Sequence, residues 1–569
     1  MKAEPARYGY RGALFALLIP LTLYVFLALP ANYLVRDRTG QDAVVYLRYA
    51  KYIAEGRFSS AVGGPWSPML PYCVAPFLLF SDDSLWAIYA AKIVTGIWGG
   101  LLVVATYLLM RSLGLRTKRI LIILLCVVAI MAVRGSQHTT QDVIHSTMLI
   151  AYCACVLRTD FLSRKGLQLL AGALAGLAYL GKAYALPFFF LHFPLLLLAR
   201  WVFQPHKYNA VTVGKALALG GIAFGLVAGP WITVLSAKYG RLTYSTISSP
   251  LMGMLLGSTE HVSWDRTLRH VPKGHVFFQE VDWESMYAES KQVISPTSWF
   301  KELLHGRIRF LLDMIDSLGA YDLLHFTLPM LILWPFLALR RASGRWRSER
   351  VQKGVLALGT LALFLLPFVF IGWEDRYIRY FSLPMICAFF GSMTLPAFAP
   401  LLRKAGVSRS TIRVLLLLIL ASYLAASLIN LGRAVRSPGQ THRSVRSMAD
   451  QLISAGCEGP IAIMWYDSVF YRTGVFMAYH MDTPFLGAID QTDVAEICRQ
   501  LKKYGVRTFL VHSDSKLREA FSQSSGWRHI LTLRREAPAE RSVLLFREQS
   551  PIEEILVYVP PDEAVKQDS

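Results

Sequence analysis

Long apolar runs separated by short polar segments dominate the first three quarters of the chain. Leu121 to Val133 and Val414 to Leu424 hold almost no charge. A helix crossing about 30 Å of hydrocarbon needs roughly 20 mainly apolar residues. With their flanks, the runs predict spans over 12–35, 85–110, 119–134, 142–158, 167–181, 183–202, 214–236, 322–339, 351–371, 380–400 and 412–431. The fold class this implies is a polytopic α-helical membrane protein of about eleven transmembrane helices, followed by a small C-terminal α/β domain.

Two stretches outside the spans carry a different periodicity. Ala43 to Ile53 (AVVYLRYAKYI) reads as a short amphipathic helix. It would either lie in the interface plane with its basic ends snorkelling or pack on protein as a loop helix. After Gly432 the texture changes. Ile461 to Trp465 and Thr508 to Val511 read as short buried strands, with amphipathic helices over Ser444 to Ala455 and Val494 to Tyr504. This alternation predicts a small α/β layer with partly parallel strands. No glycine-rich phosphate loop follows either strand, so nothing marks a nucleotide site. The domain division is therefore 1–432 for the membrane module, with outer loops 36–84 and 237–321, and 433–569 for the soluble part.

Composition supports the membrane reading. Of 569 residues 54% are hydrophobic and 17% charged, against roughly 25% charged in an ordinary soluble domain. The mean hydropathy is +0.40. A net charge of +21 raises the question of nucleic acid, but no groove-reading or stacking motif accompanies it. The basic residues instead cluster in short segments at 111–119, 158–166, 200–215, 340–353 and 403–413. These are alternate loops, as a cytoplasmic N-terminus and an odd number of spans require. The apolar stretch Gly12 to Ala31 follows a basic start but is too long for a signal peptide and ends in no small-residue cleavage site, so it reads as a retained first span. Cys126, Cys153, Cys155 and Cys387 lie in apolar segments and behave as small hydrophobes. Cys457 and Cys498 share the tail, where a disulfide is compatible with an outer location, but spacing does not establish it. No cysteine or histidine cluster has metal-site spacing.

The topology collects ionisable residues on one membrane face. They are Asp42 after the first span, Asp142 at the outer start of the fourth, Lys182 between the fifth and sixth, and Glu374-Asp375-Arg376-Tyr377-Ile378-Arg379-Tyr380 before the tenth. Charges at a membrane boundary are costly unless they find partners or act. Carboxylates with several cations suit a site that binds a phosphorylated ligand and handles a proton. Blander readings exist for each: Asp142 could cap its helix, Lys182 could snorkel, and the arginines could pair with Glu374 and Asp375.

The surrounding motifs resemble a family. Gly40 to Gly56 (GQDAVVYLRYAKYIAEG) with Trp66-Ser67-Pro68-Met69-Leu70-Pro71 is similar to the first outer loop of GT-C glycosyltransferases, which use polyprenyl-phosphate-linked sugars. Protein O-mannosyltransferases and the aminoarabinose transferase of lipid A are among them. Gly172 to Lys182 (GALAGLAYLGK) resembles their fifth-span motif, Pro230-Trp231 with Lys238-Tyr239-Gly240 the segment opening their large outer loop, and Arg379 to Pro384 (RYFSLP) their late arginine-tyrosine motif. The resemblance covers roughly 1–400 and rests on four motifs in the same order.

The resemblance implies a membrane glycosyltransferase that moves a sugar from a polyprenyl-phosphate carrier to a glycan, lipid or protein acceptor on the outer face of a bacterial cytoplasmic (inner) membrane. The N-terminus would be cytoplasmic and the C-terminal domain extracytoplasmic. Asp42 matches the first-loop acid assigned as general base, and Asp142 an acidic position of the second outer loop. Lys182 and Arg379, or Arg376 instead, match cations near the lipid phosphate, with Tyr377, Tyr380 and His138 beside the substrate. Many relatives place a Glu directly after the first-loop acid, where this chain has Ala43, which leaves Asp42 as the main candidate. Neither a cofactor nor a metal is expected. The chemistry agrees: a base takes the acceptor proton, and positive charge meets the departing phosphate. The competing readings are a transporter or lipid flippase of envelope glycolipids and a non-catalytic scaffold. A transporter favours internal repeats and spans broken near the midplane; no repeat is evident, and the charges sit at one boundary. His138, Glu260, His261 and Trp264 are outer-side residues that either line the acceptor site or hold an ordinary surface role.

Overall fold

The computed structural model describes residues 10–247 except 138, 266–280, 349–371, 375–389, 391–392, scattered positions of 408–432, 441–534 except 514, 516, 517 and 525, and 554–560. Its N-terminal part is helical: α1 (Tyr10–Leu34), α2 (Gln41–Ala54), α3 (Met69–Leu78), α4 (Ser84–Ser112), α5 (Thr117–Gln137), α6 (Asp142–Val156), α7 (Lys165–Gly181), α8 (Ala185–Phe203), α9 (Ala210–Tyr239), α10 (Glu349–Ile371) and α11 (Asp375–Phe389). Among the described residues four helices are long and apolar enough to cross a bilayer: Gly12–Leu34, Ser84–Ser112, Ala185–Phe203 and Ala210–Tyr239. The architecture is thus that of a polytopic membrane protein. The expected span 322–339 lies outside the described residues.

The outer surface of the helix assembly is apolar. Phe26, Leu29, Phe190, Ile222 and Leu226 are all exposed. Such a belt is stable only against hydrocarbon. Inside it, α7 and α9 pack through small residues. A Cβ on Gly172 would lie 2.1 Å from the Gly220 carbonyl oxygen, and one on Gly176 would lie 2.8 Å from Val227 Cβ. Close approach of small residues, without a hydrophobic drive, is how helices associate in lipid.

Hydrogen bonds fix the direction of α10 against α8. Gln204 Nε2 donates to Gln352 Oε1, His192 Nε2 meets Thr360 Oγ1, and Tyr184 OH donates to the Phe364 carbonyl. The pairs run in opposite order, so the helices are antiparallel. The end of α10 and the start of α11 therefore lie at the end of the bundle where α7 finishes and α8 begins.

The segment between α1 and α4 is more structured than its polar punctuation suggests. It contains α2, a single helical turn over Phe58–Ala61, and α3, an apolar helix of 10 residues that is too short to span. Residues 43–50 and Tyr52 of α2 are buried. Of the two alternatives open to this amphipathic stretch, α2 is the helix packed on protein and not one lying in the interface.

The C-terminal part contains α12 (His442–Ser454), β1 (Ile461–Met464), α13 (Ser468–Met481), β2 (Phe485–Ile489), α14 (Val494–Lys503), β3 (Thr508–His512), α15 (Arg518–Ser524), β4 (Arg528–Arg534) and β5 (Glu554–Val559). The strand order is β2-β1-β3-β5-β4. β1 runs parallel to β2 and β3, while β5 is antiparallel to β3 and β4. Alternate residues serve two cores: Ile461 and Ile463 join Val445, Met448 and Phe470, whereas Ala462 and Met464 join Ile497, Leu501 and Phe521. Helices thus cover both faces, as parallel strands require.

The segment 266–280 adds to the sheet edge. Leu268 and Phe277 form bridges to Gly487 and Phe485, and Arg269 N donates to the Leu486 carbonyl at 2.7 Å. Gly487 has φ 110°, and a Cβ there would meet the Thr267 carbonyl oxygen at 2.3 Å. Only glycine allows that approach. Cys457 and Cys498 are both free thiols.

Candidate functional site

Lys182 caps the C-terminal end of α7 in an extended conformation, φ −159°. Just before it, Gly181 presses α7 onto the start of α6, where an added Cβ would lie 3.1 Å from His145 Cα. This approach delivers the ammonium to Asp142, with Lys182 Nζ 2.7 Å from Asp142 Oδ1. The carboxylate is buried and the lysine about one quarter exposed. Thr140 Oγ1 donates to the second oxygen, Oδ2, at 2.6 Å. Asp142 is the first residue of α6 and its N-cap position is Gln141. The cap and snorkel alternatives give way to an ion pair.

Asp42 lies in the first turn of α2, half-buried, after the N-cap Gly40. A carboxylate there is favoured by the helix dipole. Tyr46 is one turn on and shares its face. Gln141 Nε2 donates to Tyr46 OH at 2.7 Å, so the residue beside Asp142 ties α6 to the helix that carries Asp42. Tyr46 also meets Trp66 edge to face at 5.1 Å, and Trp66 Nε1 donates to the Gln279 carbonyl. Tyr46 thus ties the 36–84 segment to the start of α6, and Trp66 ties it to 266–280.

Arg379 and Tyr380 are buried in the early part of α11. α11 packs against α6, and Phe381 stacks on Phe364 at 4.0 Å and contacts Phe188. With α10 antiparallel to α8, Arg379 belongs to the same end of the bundle as Lys182. Four of the sequence candidates, Asp42, Asp142, Lys182 and Arg379, thus occupy one end, and two of them are in direct contact. Arg376 and Tyr377 fall in the first turn of α11, but their side chains lie outside the described part, as do His138, Glu260, His261, Trp264, Glu374 and the Asp375 side chain.

His145, one turn below Asp142, was not singled out by the sequence. Its Nδ1 donates to the Ala178 carbonyl at 3.1 Å, tying α6 to the last turn of α7. Its ring lies 6.2 Å from that of Tyr184. Its place at i+3 from Asp142 was the available signal.

The later turns of α2 carry a second polar network. Glu280, at the end of the 266–280 segment, is fully buried. Its Oε2 accepts from Tyr52 OH at 2.6 Å, and its Oε1 from the Phe277 and Val276 amides at 3.0 and 3.2 Å. Tyr49 OH donates to its backbone carbonyl. Burial raises its carboxyl to about 7, against the lowering by Arg48, Tyr52 and the two amides. Arg48 donates to Tyr52 OH at 3.1 Å and reaches Asp482 Oδ1 at 2.5 Å, while Lys51 Nζ lies 2.6 Å from Asp482 Oδ2. Burial would raise the Asp482 carboxyl, but Arg48 and Lys51 outweigh it and hold it below the usual range.

The C-terminal part also grips the same end of the bundle through α12. Arg443 approaches Asp37 at 3.5 Å and Arg446 approaches Asp83 at 3.1 Å. Ser84 Oγ contacts His480 Nδ1 at 2.7 Å, and His480 Nε2 contacts His442 Nδ1 at 3.1 Å. A cleft of about 220 Å³ remains between α2, the α3–α4 turn and Tyr479. Among the described residues no group of carboxylate, histidine and cysteine side chains is arranged to hold a metal.

A solved structure shares the fold of this chain: ArnT from Cupriavidus metallidurans, bound to undecaprenyl phosphate. It matches over 94% of this chain and 97% of its own, with a TM-score of 0.52 and 14% identity. The chain has a GT-C-like fold. No family model matches its sequence, and no curated protein does. At that identity the likeness lies in the fold alone, and the motif order that suggested it was carried by very few residues.

Proposed function

We propose that this GT-C-like chain is a membrane glycosyltransferase that moves a sugar from a polyprenyl-phosphate carrier to an acceptor on the outer face of the cytoplasmic membrane. The observation that carries this reading is the gathering of Asp42, the Asp142–Lys182 pair and Arg379 at one end of a bundle whose fold is shared with a structure holding undecaprenyl phosphate. In this reading the bundle has about eleven spans with a cytoplasmic N-terminus, and 433–569 is an extracytoplasmic domain seated over the site.

Asp42 takes the proton of the acceptor hydroxyl or amine as that atom attacks the anomeric carbon. The bond from that carbon to the phosphate oxygen breaks, and the lipid phosphate leaves with the electron pair. Arg379 and Lys182 meet the charge that develops on it. Lys182 is held by Asp142 until the phosphate arrives, and the two anions then share it. The residues supply base and counter-charge themselves, and the donor arrives without any nucleotide.

The test is sugar transfer from a polyprenyl-phosphate donor by membranes carrying the full chain. Asp42→Asn should abolish transfer while leaving donor binding intact. Undiminished turnover in that variant would remove Asp42 from the mechanism. Chemical analysis of envelope glycans after deletion of the protein identifies the acceptor.

A further inference from the structure

Helix α2 is held from two sides by parts of the chain far away in sequence. Tyr49 and Tyr52 reach Glu280 of the large outer loop, and Arg48 and Lys51 reach Asp482 of the C-terminal part. Arg48 joins the two grips, since it bonds both Tyr52 OH and Asp482. Asp482 is the C-cap of α13 and stands in the left-handed region, φ 54°. Outside glycine, Asp and Asn are the residues that tolerate this conformation, so a carboxylate is presented at a position where few side chains fit. The edge bridges from Leu268 and Phe277 to β2 tie Glu280 to the same domain. Both grips therefore move with the C-terminal part. Tyr49, seven residues after Asp42 and three after Tyr46, shares their face, so the grip on Glu280 reaches the side of α2 that carries Asp42.

We infer that Glu280 and Asp482 are positioning residues for Asp42: the C-terminal domain and the large outer loop together clamp α2 and set where its carboxylate stands. The inference rests on the proposed role of Asp42 as base. It assigns to the C-terminal domain an indirect part in catalysis, exerted through α2 without contact to the reacting atoms.

Arg48, Tyr49 and Tyr52 of α2 face Glu280; Arg57 and His275 lie against the Tyr52 ring, Tyr239 at the end of α9 acts on Tyr49, and Lys238 lies near His275. Lys51 and Asp482 complete the network through Arg48. The folded protein prefers the neutral Glu280 carboxyl. Its contribution to the clamp is therefore complete below the ordinary carboxyl range and lost as pH rises through about 7. Glutamine reproduces the neutral form, its oxygen accepting from the Val276 and Phe277 amides and its nitrogen donating to Tyr52.

The experiment uses the full chain in lipid nanodiscs, with polyprenyl-phosphate sugar as donor. Asp482→Asn keeps the backbone conformation and removes the charge. It should lower kcat at least tenfold while donor KM stays within twofold, and speed amide exchange across 41–54. Lys51→Ala, which loosens only the more exposed arm, should give a smaller change in the same direction. Glu280→Gln should keep its activity above pH 7, where the wild type declines. Unchanged kcat and exchange in Asp482→Asn, or an unchanged alkaline limb in Glu280→Gln, would overturn the clamp. If the wild-type chain transfers no sugar, the glycosyltransferase reading fails instead. Exchange over 41–54 in Asp482→Asn then decides alone whether α2 is clamped.

Discussion

Lys182 Nζ and Asp142 Oδ1 stand 2.7 Å apart although 40 residues separate them in the chain. The contact exists because Gly181 lets α7 end against α6. It brings together two charges that would be costly to bury singly.

Removing one member of the pair exposes this cost. Lys182→Met should destabilise the protein by about 3–5 kcal/mol, the usual cost of removing one partner of a buried ion pair. The double variant Lys182→Met with Asp142→Asn should recover most of that loss in thermal unfolding yet remain inactive. Recovered transfer in the double variant would make the pair purely structural.

Arg379→Lys keeps the charge but gives up the planar fork that grips phosphate. Donor KM is expected to rise roughly tenfold, equivalent to about 1.4 kcal/mol, with a smaller effect on kcat. Titrating the donor in steady-state assays measures both.

The α7–α9 contact leaves no room for a side chain. Gly172→Leu forces the helices apart at the Gly220 carbonyl, and overpacking of this kind typically costs ~1–3 kcal/mol. Because Lys182 lies at the end of the same helix, transfer should fall further than stability does. Paired melting and activity curves of Gly172→Leu and Gly172→Ala would reveal whether the two losses separate.

Acid should loosen the C-terminal part from the bundle. Burial, with Arg446 nearby, lowers His480 to about 3. A group with a depressed folded pKa gives stability that is present above its unfolded value and lost as pH falls through the folded one. The window therefore runs from about 6.5 down to about 3, opposite in sense to that of Glu280. Limited proteolysis between α11 and α12 should accelerate across this range in the wild type and less in His480→Gln. An equal response in both would exclude His480 as the cause.

Much of the candidate site is legible in the amino-acid sequence. Asp42, Asp142, Lys182 and Arg379 stand out because charge at a membrane boundary is expensive, and alternating basic loops put them on one side. The pairing of Asp142 with Lys182 is not legible there, since each residue also has a local explanation as cap or snorkel. Glu280 is silent because it sits in a loop with no periodic pattern, and the side chains that engage it, Tyr49 and Tyr52, come from α2, far away in the chain. The tail shows β1 and β3 but not β2, β4 or β5, and Gly487 in the middle of β2 interrupts the usual signal of a strand.

By itself the sequence determined that the chain lives in a membrane, where the apolar runs fall, and which residues are costly enough to need partners. These follow from local composition, since insertion into hydrocarbon is decided segment by segment. Only the tertiary structure decided that α2 is packed on protein, that Lys182 belongs to Asp142, and that the C-terminal part holds the helix carrying Asp42. Those depend on contacts such as Arg48 with Asp482, made across 434 residues of chain, and no window along the sequence contains both partners.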